Sequence, residues 1–354
     1  MKRIATLIAA AAMTAAAVVS PAQAEKKESF RVAWSIYVGW MPWGYMSESG
    51  IMDKWAEKYG ISVEIVQIND YIESINQYTA GAFDGVSATN MDTLSIPSGG
   101  GVDTTALIVG DFSNGNDAVL TKDGMGFKDL AGKPVNLVEL SVSHYLLARG
   151  LESVGMKEAD LSVVNTSDAD MVAAFATPDV TAAVTWNPLV STIMEMPGVT
   201  KIYDSADIPG EIIDLMVVNT ETLTDNPDFG KALTGAWYET MALMSSDTPE
   251  GKAAREWMAA ASGTDLAGYD SQLATTQMFY DPKDALTFTR DEKLIQTMDF
   301  VRNFLFDHGI LGEGASSVDD IGIAFPGGQT LGDPNNVKFR FAPFFTLQAV
   351  EGKL

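Results

Sequence analysis

The runs FRVAWS at Phe30–Ser35 and ISVEIVQ at Ile61–Gln67 are short and rich in β-branched and aromatic residues. Both compositions favour β-strands. The residues between them, Trp43–Tyr59, have the alternation of apolar and polar positions expected for a helix. A strand, a helix and a second strand in succession predict two parallel strands joined by a helical crossover. This stretch therefore indicates an α/β fold with a mostly parallel sheet.

The same alternation continues along the chain. Asp70 is predicted to cap a helix that runs to about Ala80, and Asn90 or Asp92 to cap the helix after a buried strand. The other predicted strands are Phe83–Ser87, Thr104–Val109, Val135–Val138, Leu161–Val164, Ala182–Thr185 and Leu215–Val218. The other predicted helices are Ser143–Val154, Asp168–Phe175, Pro227–Ser245, Pro249–Ala261 and Asp291–Phe306.

The order of these elements predicts two lobes. A new α/β unit begins near Ala118, whereas the chain after Asn226 is rich in helices that need a surface to pack on. We therefore expect a discontinuous first lobe, residues 25–117 plus 218–354, and a second lobe, residues 118–217. Two chain crossovers between lobes form a hinge, because a few loop residues can absorb the change in φ and ψ.

The N-terminal residues have the features of a secretory signal peptide. Lys2 and Arg3 precede an apolar run, Ile4–Val19, and small residues follow it up to Ala24. We expect residues 1–24 to be removed, with cleavage after Ala24. The chain contains no Cys, so lipid anchoring through a thiol, disulfides and thiolate metal sites are excluded.

The charge of the chain restricts its partners. It has 47 Asp and Glu residues against 23 Lys and Arg, and a formal net charge of −24. Such a surface repels nucleic acid, and its self-repulsion favours a soluble monomer. The same field attracts cationic solutes more than anionic ones.

No pattern for catalysis or cofactor binding is present in the sequence. The two histidines, His144 and His308, do not have the spacing of a metal site. The loop Gly99–Gly101 lacks the lysine and hydroxyl residue of a phosphate-binding loop, and no Gly-x-Ser-x-Gly motif occurs. We therefore expect no enzyme activity, no cofactor and no metal.

Several segments, in their order and spacing, resemble the substrate-binding proteins of nitrate, sulfonate and taurine importers. These segments are Gly39–Gly44, Tyr71–Tyr78, Gly81–Gly85, Asp111–Asp117, Ser141–Leu147 and Ala182–Leu189. The resemblance implies a two-lobed periplasmic binding protein fold of type II, a periplasmic location and an ABC permease in the inner membrane as partner. The chain looks most similar to the subgroup associated with urea carboxylase regions, whose solute is urea or guanidine.

The predicted cleft loops differ from those of anion-binding members. Leu140 stands where a glycine is common, and Glu139 precedes it. The loops carry acids without a neighbouring Lys or Arg, which favours a cation or a neutral hydrogen-bond donor over nitrate or sulfonate. Guanidinium is planar and weakly hydrated, so a bidentate carboxylate and an aromatic face suit it.

The carboxyl ends of strands, where ligands of open α/β sheets bind, define the candidate site. The expected solute-binding residues are Tyr37, Trp40, Trp43, Asn90, Asp92, Asp111, Glu139, Trp186 and Asp214. Each also has a structural interpretation: the tryptophans as core, Asn90 and Asp92 as helix caps, and Asp111 and Asp214 as residues that fix the crossover turns.

Three other functions stay open at this point. The same fold can hold a sulfonate- or nitrate-type anion or a pyrimidine-like solute. A thiamine-pyrimidine synthase has a related fold, but its hallmark is a cysteine-rich stretch, and this chain has none. A binding protein that presents its ligand to a sensor is not distinguished from a transport component by the sequence.

Overall fold

The computed structural model describes residues 27–312 and 314–354. The predicted signal peptide, residues 1–24, lies outside the described residues. None of the helices within the described ranges is long and apolar enough to cross a membrane.

The strands form two sheets. In chain order they are β1 (Ser29–Trp34), β2 (Ser62–Gln67), β3 (Gly85–Thr89), β4 (Thr104–Ser113), β5 (Ala118–Lys122), β6 (Pro134–Leu137), β7 (Ser162–Asn165), β8 (Ala182–Thr185), β9 (Val199–Asp204), β10 (Ile213–Asn219), β11 (Thr276–Met278), β12 (Gly322–Ala324), β13 (Thr330–Leu331) and β14 (Val337–Phe341).

Helices cover both sheets. They are α1 (Met41–Glu48), α2 (Ile51–Lys58), α3 (Tyr71–Thr79), α4 (Asn90–Thr93), α5 (Val142–Ser153), α6 (Asp168–Phe175), α7 (Leu189–Met194), α8 (Thr220–Asp225), α9 (Pro227–Met244), α10 (Pro249–Ala261), α11 (Leu266–Leu273), α12 (Pro282–Thr289), α13 (Glu292–Asp307) and α14 (Phe344–Val350).

The first sheet has the order β13-β12-β14-β4-β10-β3-β1-β2, with β11 also paired to β4. β1 lies between β2 and β3 and is parallel to both, which confirms the predicted strand-helix-strand unit. The predicted single helix Trp43–Tyr59 is wrong. It is two helices, α1 and α2, because Gly50 adopts a left-handed φ of 78° between them.

The second sheet has the order β7-β6-β8-β5-β9 and is built from the middle of the chain. β10 does not belong to it. β10 pairs antiparallel with β3 and β4, so the second lobe ends before Ile213 rather than at residue 217. The difference arises because ladder pairing starts directly after the crossover, where Asp214 already lies opposite Thr89 and Asp111. Below, the first lobe is the part that carries the first sheet, and the second lobe carries β5 to β9.

The lobes are packed against each other. One continuous core joins buried residues of the first lobe, such as Trp40 and Tyr71, to Val142 and Trp186 of the second. The backbone N–H of Val38 also donates to the Asn187 carbonyl across the boundary, at 3.4 Å. The molecule is therefore in a closed arrangement.

The helix caps agree with the prediction at α3 and differ from it at α4. Asp70 caps α3 by accepting from the Glu73 N–H, as predicted. Neither Asn90 nor Asp92 caps α4. Thr89, the last residue of β3, does so by accepting from the Asp92 N–H. The Asp92 carboxylate is thereby left for other partners.

Candidate functional site: an aromatic and acidic cavity between the lobes

A small cavity lies between the two lobes. In the first lobe, the wall is formed by Tyr37 and Trp40 after β1, Tyr71 at the start of α3, Thr89 at the end of β3 and Asp214 on β10. The second lobe adds residues at the start of α5 and the end of β8, and a crossover adds an acid. The lining residues are Tyr37, Trp40, Tyr71, Thr89, Asp117, Val142, Trp186 and Asp214.

Four buried aromatic rings form an arc around the cavity. Tyr37 meets Trp40 edge-on with centroids 5.1 Å apart, Trp40 lies 5.6 Å from Tyr71, and Tyr71 meets Trp186 edge-on at 5.5 Å. The Trp186 indole N–H donates to the Ile36 carbonyl at 3.3 Å, which holds the second lobe onto the first. The faces and edges of these rings suit a small planar or cationic solute.

A pair of carboxyl groups lies at one wall. Asp214 on β10 is opposite Asp111 on β4, and the Tyr37 hydroxyl donates to Asp111 at 2.9 Å. Oδ2 of both acids is buried without a hydrogen-bond partner. Burial raises the pKa of Asp111 to about 7, although hydrogen bonds from Asp214 and Tyr37 oppose this. Burial and the charges of Asp111 and Asp117 raise the pKa of Asp214 well above its ordinary value.

Two more carboxyl groups complete the acidic surroundings. Asp117 accepts from the Ser113 hydroxyl at 2.5 Å, and burial raises its pKa to about 7. Asp92 accepts from the Tyr71 hydroxyl at 2.6 Å and from the Val142 N–H at 3.3 Å. Burial raises the pKa of Asp92 to about 6, against the effect of these hydrogen bonds.

None of the described residues that line the cavity is Lys, Arg or His. Buried carboxylates without a counter-charge are costly, so they either hold protons or neutralise a cation. The arrangement therefore favours a small cation with several N–H groups. It opposes an anion, which would meet like charge in a medium of low dielectric constant.

These raised pKa values predict that the ligand-free protein loses stability as pH rises. In the unfolded chain an Asp has a pKa of about 3.9. Asp92, Asp111 and Asp117 have higher values in the folded state, so between about pH 4 and about pH 7 the folded state binds more protons than the unfolded one. The free energy of unfolding then falls as pH rises through this window.

Calorimetric thermal unfolding at several pH values checks this expectation. Asp117→Asn should flatten the dependence because it removes one titrating group. A stability that rises from pH 5 to pH 8 would contradict the assignment. Chemical denaturation is unsuitable because urea and guanidinium are themselves candidate solutes.

The structure brings together most of the predicted site residues. Tyr37, Trp40, Trp186 and Asp214 line the cavity, and Asp92 and Asp111 lie directly behind the wall and contact lining residues.

Three predicted residues, Trp43, Asn90 and Glu139, lie outside the cavity wall. Trp43 is in the core of the first lobe, stacked on Trp237 with centroids 4.9 Å apart. Asn90 links the crossover to α4, because its side chain donates to the Glu211 carbonyl and accepts from the Ile213 N–H.

Glu139 is exposed on a surface groove outside the cavity. The neighbouring Leu140 has a left-handed φ of 62°, and Ser141 then caps α5. This turn directs the Glu139 side chain away from the cavity. The glycine usual at position 140 is explained by the same dihedral, which glycine adopts without strain.

Four lining residues were not predicted: Tyr71, Thr89, Asp117 and Val142. The sequence contained a signal for two of them. Tyr71 directly follows the cap Asp70, so it begins a helix at the carboxyl edge of the sheet. Asp117 ends the first crossover. It lies in the segment Asp111–Asp117 that carries the family resemblance, but it was not among the predicted site residues. Nothing in the local pattern marks Val142.

Comparison with known proteins places the fold among binding proteins. The alkanesulfonate-binding protein of Xanthomonas axonopodis pv. citri superposes with a TM-score of 0.67 at 15% identity, covering 82% of this chain and 96% of that one. At this identity the likeness shows the fold alone. It confirms the predicted α/β periplasmic binding protein fold with two lobes.

Two curated relatives match parts of the chain. A putative binding protein of Brucella abortus (strain 2308) is 27% identical over 191 residues, 53% of this chain and 57% of the relative. The taurine-binding periplasmic protein of Escherichia coli (strain K12) is 26% identical over 130 residues, 36% of this chain and 40% of the relative. The chain thus spans a little more than half the length of the first relative and less than half that of the second.

The model of the NMT1-like family matches residues 24–261, well over half of the chain. The match includes all the residues that line the cavity. This chain belongs to the NMT1-like family.

Proposed function

We propose that this protein is the periplasmic solute-binding component of an ABC importer. It captures a small cationic nitrogen compound, with guanidine as the first choice and urea as the second, and delivers it to a permease in the inner membrane. The observation that carries the solute assignment is the cavity itself. Carboxyl groups and aromatic rings surround it, and among the described residues no basic side chain lines it.

The transport role is supported by the relatives. The proteins of similar fold or sequence are named as binding proteins: one binds alkanesulfonate, one binds taurine and is periplasmic by name, and the Brucella relative is named without a solute. The acidic chain, with a net charge of −24, and the predicted signal peptide agree with an exported monomer that does not bind nucleic acid. We propose no catalytic turnover, because the described residues that line the cavity include no Ser, Cys, Lys or His.

Lobe closure supports capture of a small solute. The Asp92 carboxylate accepts from the Val142 N–H, and the Asp168 carboxylate accepts from the Tyr71 N–H at 3.3 Å. Both contacts cross between the lobes close to the cavity. A solute held inside is covered by both lobes and leaves only when these contacts open.

The crossovers form the hinge of this motion. The Ser113 hydroxyl lies 2.6 Å from the Ser205 hydroxyl, and Ser205 also accepts from the Gly115 N–H. These contacts tie the first crossover to the second. Asp117, which accepts from Ser113, lines the cavity as well, so solute binding acts directly on the hinge.

An anion is the competing solute because of the names of the relatives. Nitrate or a sulfonate needs helix N-termini or a base to hold its charge. The four acids near the cavity, Asp92, Asp111, Asp117 and Asp214, disfavour such a ligand.

A panel of solutes separates the two possibilities. We expect guanidinium at 100 times its dissociation constant to add about 2.7 kcal/mol to the free energy of unfolding. Urea should bind more weakly, since its carbonyl oxygen meets the same carboxylates, and nitrate, sulfate and taurine should bind poorly. Isothermal calorimetry measures each affinity and thermal unfolding gives an independent readout. Tight, saturable nitrate binding would reject the cationic assignment, and binding of urea in preference to guanidinium would reject guanidine.

A further inference from the structure

Both histidines of the chain contact one carboxylate. His144 and His308 are the two histidines in the sequence. His144 Nε2 lies against Oε1 of Glu158, and His308 Nε2 lies 2.7 Å from Oε2 of the same side chain. His144 is on α5 and Glu158 follows it, both in the second lobe, whereas His308 ends α13.

Helix α13 is attached to the first lobe. Asn90 donates to the Met298 sulfur at 3.4 Å. The segment after the helix packs closely on Gly99, because a Cβ atom at that position would lie 2.9 Å from the Leu311 carbonyl oxygen. The other side of α13 contacts the second lobe. Phe304 meets Tyr145 edge-on at 4.7 Å. The ion pair of His308 with Glu158 therefore spans the two lobes.

The partners of His308 determine its protonation. Its Nδ1 lies 2.8 Å from the Phe304 carbonyl oxygen, and its Nε2 faces the Glu158 carboxylate. A carbonyl and a carboxylate only accept hydrogen bonds, so each ring nitrogen must carry a proton. In the closed arrangement His308 is an imidazolium.

The partners of His144 require the neutral form of its ring. Its Nδ1 accepts from the Leu140 backbone N–H at 3.1 Å, so this nitrogen has a lone pair and no proton. The ring proton is then on Nε2, which lies against Glu158. His144 is neutral in the closed arrangement, although it contacts the same carboxylate as His308.

We propose that His308 and Glu158 form a proton-operated latch between the lobes. Protonated His308 joins α13 to the second lobe and favours closure. If His308 loses that proton, either Nε2 presents a lone pair to the Glu158 carboxylate or Nδ1 loses its hydrogen bond to the Phe304 carbonyl. Either change destabilises the closed form relative to the open one. The latch lies outside the cavity and does not depend on which solute the cavity holds.

The charged groups next to His308 and Glu158 are carboxylates, a lysine and an arginine. Glu152 and Lys157 line the surface depression that holds Glu158 and His308, and Asp307 precedes His308 on its own helix. Arg149 on α5 pairs with Glu152 at 2.7 Å. Burial alone would raise the pKa of Glu158, but the two facing histidines outweigh it and lower that pKa below its ordinary value. Glu158 thus stays charged over the range in which an ordinary imidazole changes charge, between about pH 5 and about pH 8.

The absence of native Cys permits a direct test of lobe distance. Glu57→Cys in the first lobe and Lys128→Cys in the second place one dye on each lobe at exposed positions. We expect the closed-to-open ratio of the ligand-free protein to rise as pH falls from about 8 to about 5.5. His308→Gln should remove a roughly three- to tenfold part of that rise. The buried acids of the cavity contribute the remainder, which both proteins share.

His144→Gln is the matched control, because it changes the other histidine on the same carboxylate. The contacts of His144 with Glu158 and Leu140 lie within the second lobe, so the variant should leave the closed-to-open ratio and its pH-dependent rise unchanged. A His308→Gln profile that equals the wild-type profile would overturn the latch, and so would loss of the rise in His144→Gln.

Nitrogen NMR of the two imidazole rings gives a readout that a merely structural contact would not produce. At about pH 6 we expect protons on both nitrogens of His308 and on Nε2 alone of His144. A neutral His308 or a doubly protonated His144 at that pH contradicts the proposal. Failure of either test leaves the solute assignment untouched, since no residue of the cavity is changed.

Discussion

Asp214→Asn is expected to weaken guanidinium binding by roughly 10- to 150-fold, which corresponds to about 1.5–3 kcal/mol for a hydrogen bond to a charged group. Asp214 lines the cavity, and its Oδ2 is buried without a hydrogen-bond partner among the described residues. A guanidinium ion supplies both the charge and the N–H groups that this carboxylate lacks. The neutral amide keeps the shape of the side chain but removes the charge-assisted pair.

Urea distinguishes charge from shape in this experiment. It is nearly isosteric with guanidinium but neutral, so Asp214→Asn should change its affinity little. Calorimetry with both solutes on both proteins forms a complete comparison. The amide can still donate to Asp111, the cross-strand neighbour, so the fold should be retained.

Glu139→Gln is the control for this variant. Glu139 is exposed and lies outside the cavity, so we expect guanidinium affinity to be unchanged. A large loss in Glu139→Gln would restore the role expected from the sequence. If Asp214→Asn binds guanidinium with unchanged affinity, the carboxylate that pairs with the solute would be Asp117, the other acid in the wall.

Trp186→Ala should weaken the binding of guanidinium by roughly 30-fold, from about 2 kcal/mol of desolvated cation–π attraction. Trp186 forms part of the aromatic arc and also holds the lobes together through the Ile36 carbonyl. Urea should lose affinity as well, through lost packing and weaker closure, but less than guanidinium. Trp40→Ala is expected to act in the same direction, since Trp40 lines the same cavity.

Trp43→Ala separates a loss of binding from a loss of stability. Trp43 is 1% exposed and stacked on Trp237 in the core, so its truncation should lower the free energy of unfolding by about 3–5 kcal/mol. The folded fraction should bind guanidinium with unchanged affinity. Thermal unfolding and calorimetry at a temperature where both variants are folded measure the two effects. A Trp43→Ala protein that loses affinity as much as Trp186→Ala would contradict the placement of Trp43 outside the site.

Much of the fold was predictable because its signals are local. Hydrophobic periodicity predicted α6, β8 and α10 at their observed bounds, and most of the other predicted elements to within a residue or two, whereas β11 to β14 and α14 were not predicted. Asp70 was recognised as a cap because capping depends on neighbouring backbone groups alone. The break at Gly50 was missed, since a glycine inside an amphipathic pattern is compatible with one helix or with two.

The site was predictable only in its chemistry. Aromatic and acidic residues at strand ends, without Lys or Arg, indicated a cation from the sequence alone. Which of them face the cavity depends on strand register and on single dihedral angles. The pairing of β10 with β4 places Asp214 beside Asp111, and the left-handed Leu140 turns Glu139 outward.

The amino-acid sequence by itself thus determined the α/β class, and it predicted the discontinuous first lobe and the acidic, base-free loops at the strand ends, because periodicity and charge are properties of short segments. Tertiary structure alone decided that Tyr71 and Asp117 enter the cavity wall and that His308 meets Glu158 across the lobes. These contacts join residues far apart in the chain. Their geometry is set by the packing of whole elements, which no local pattern encodes.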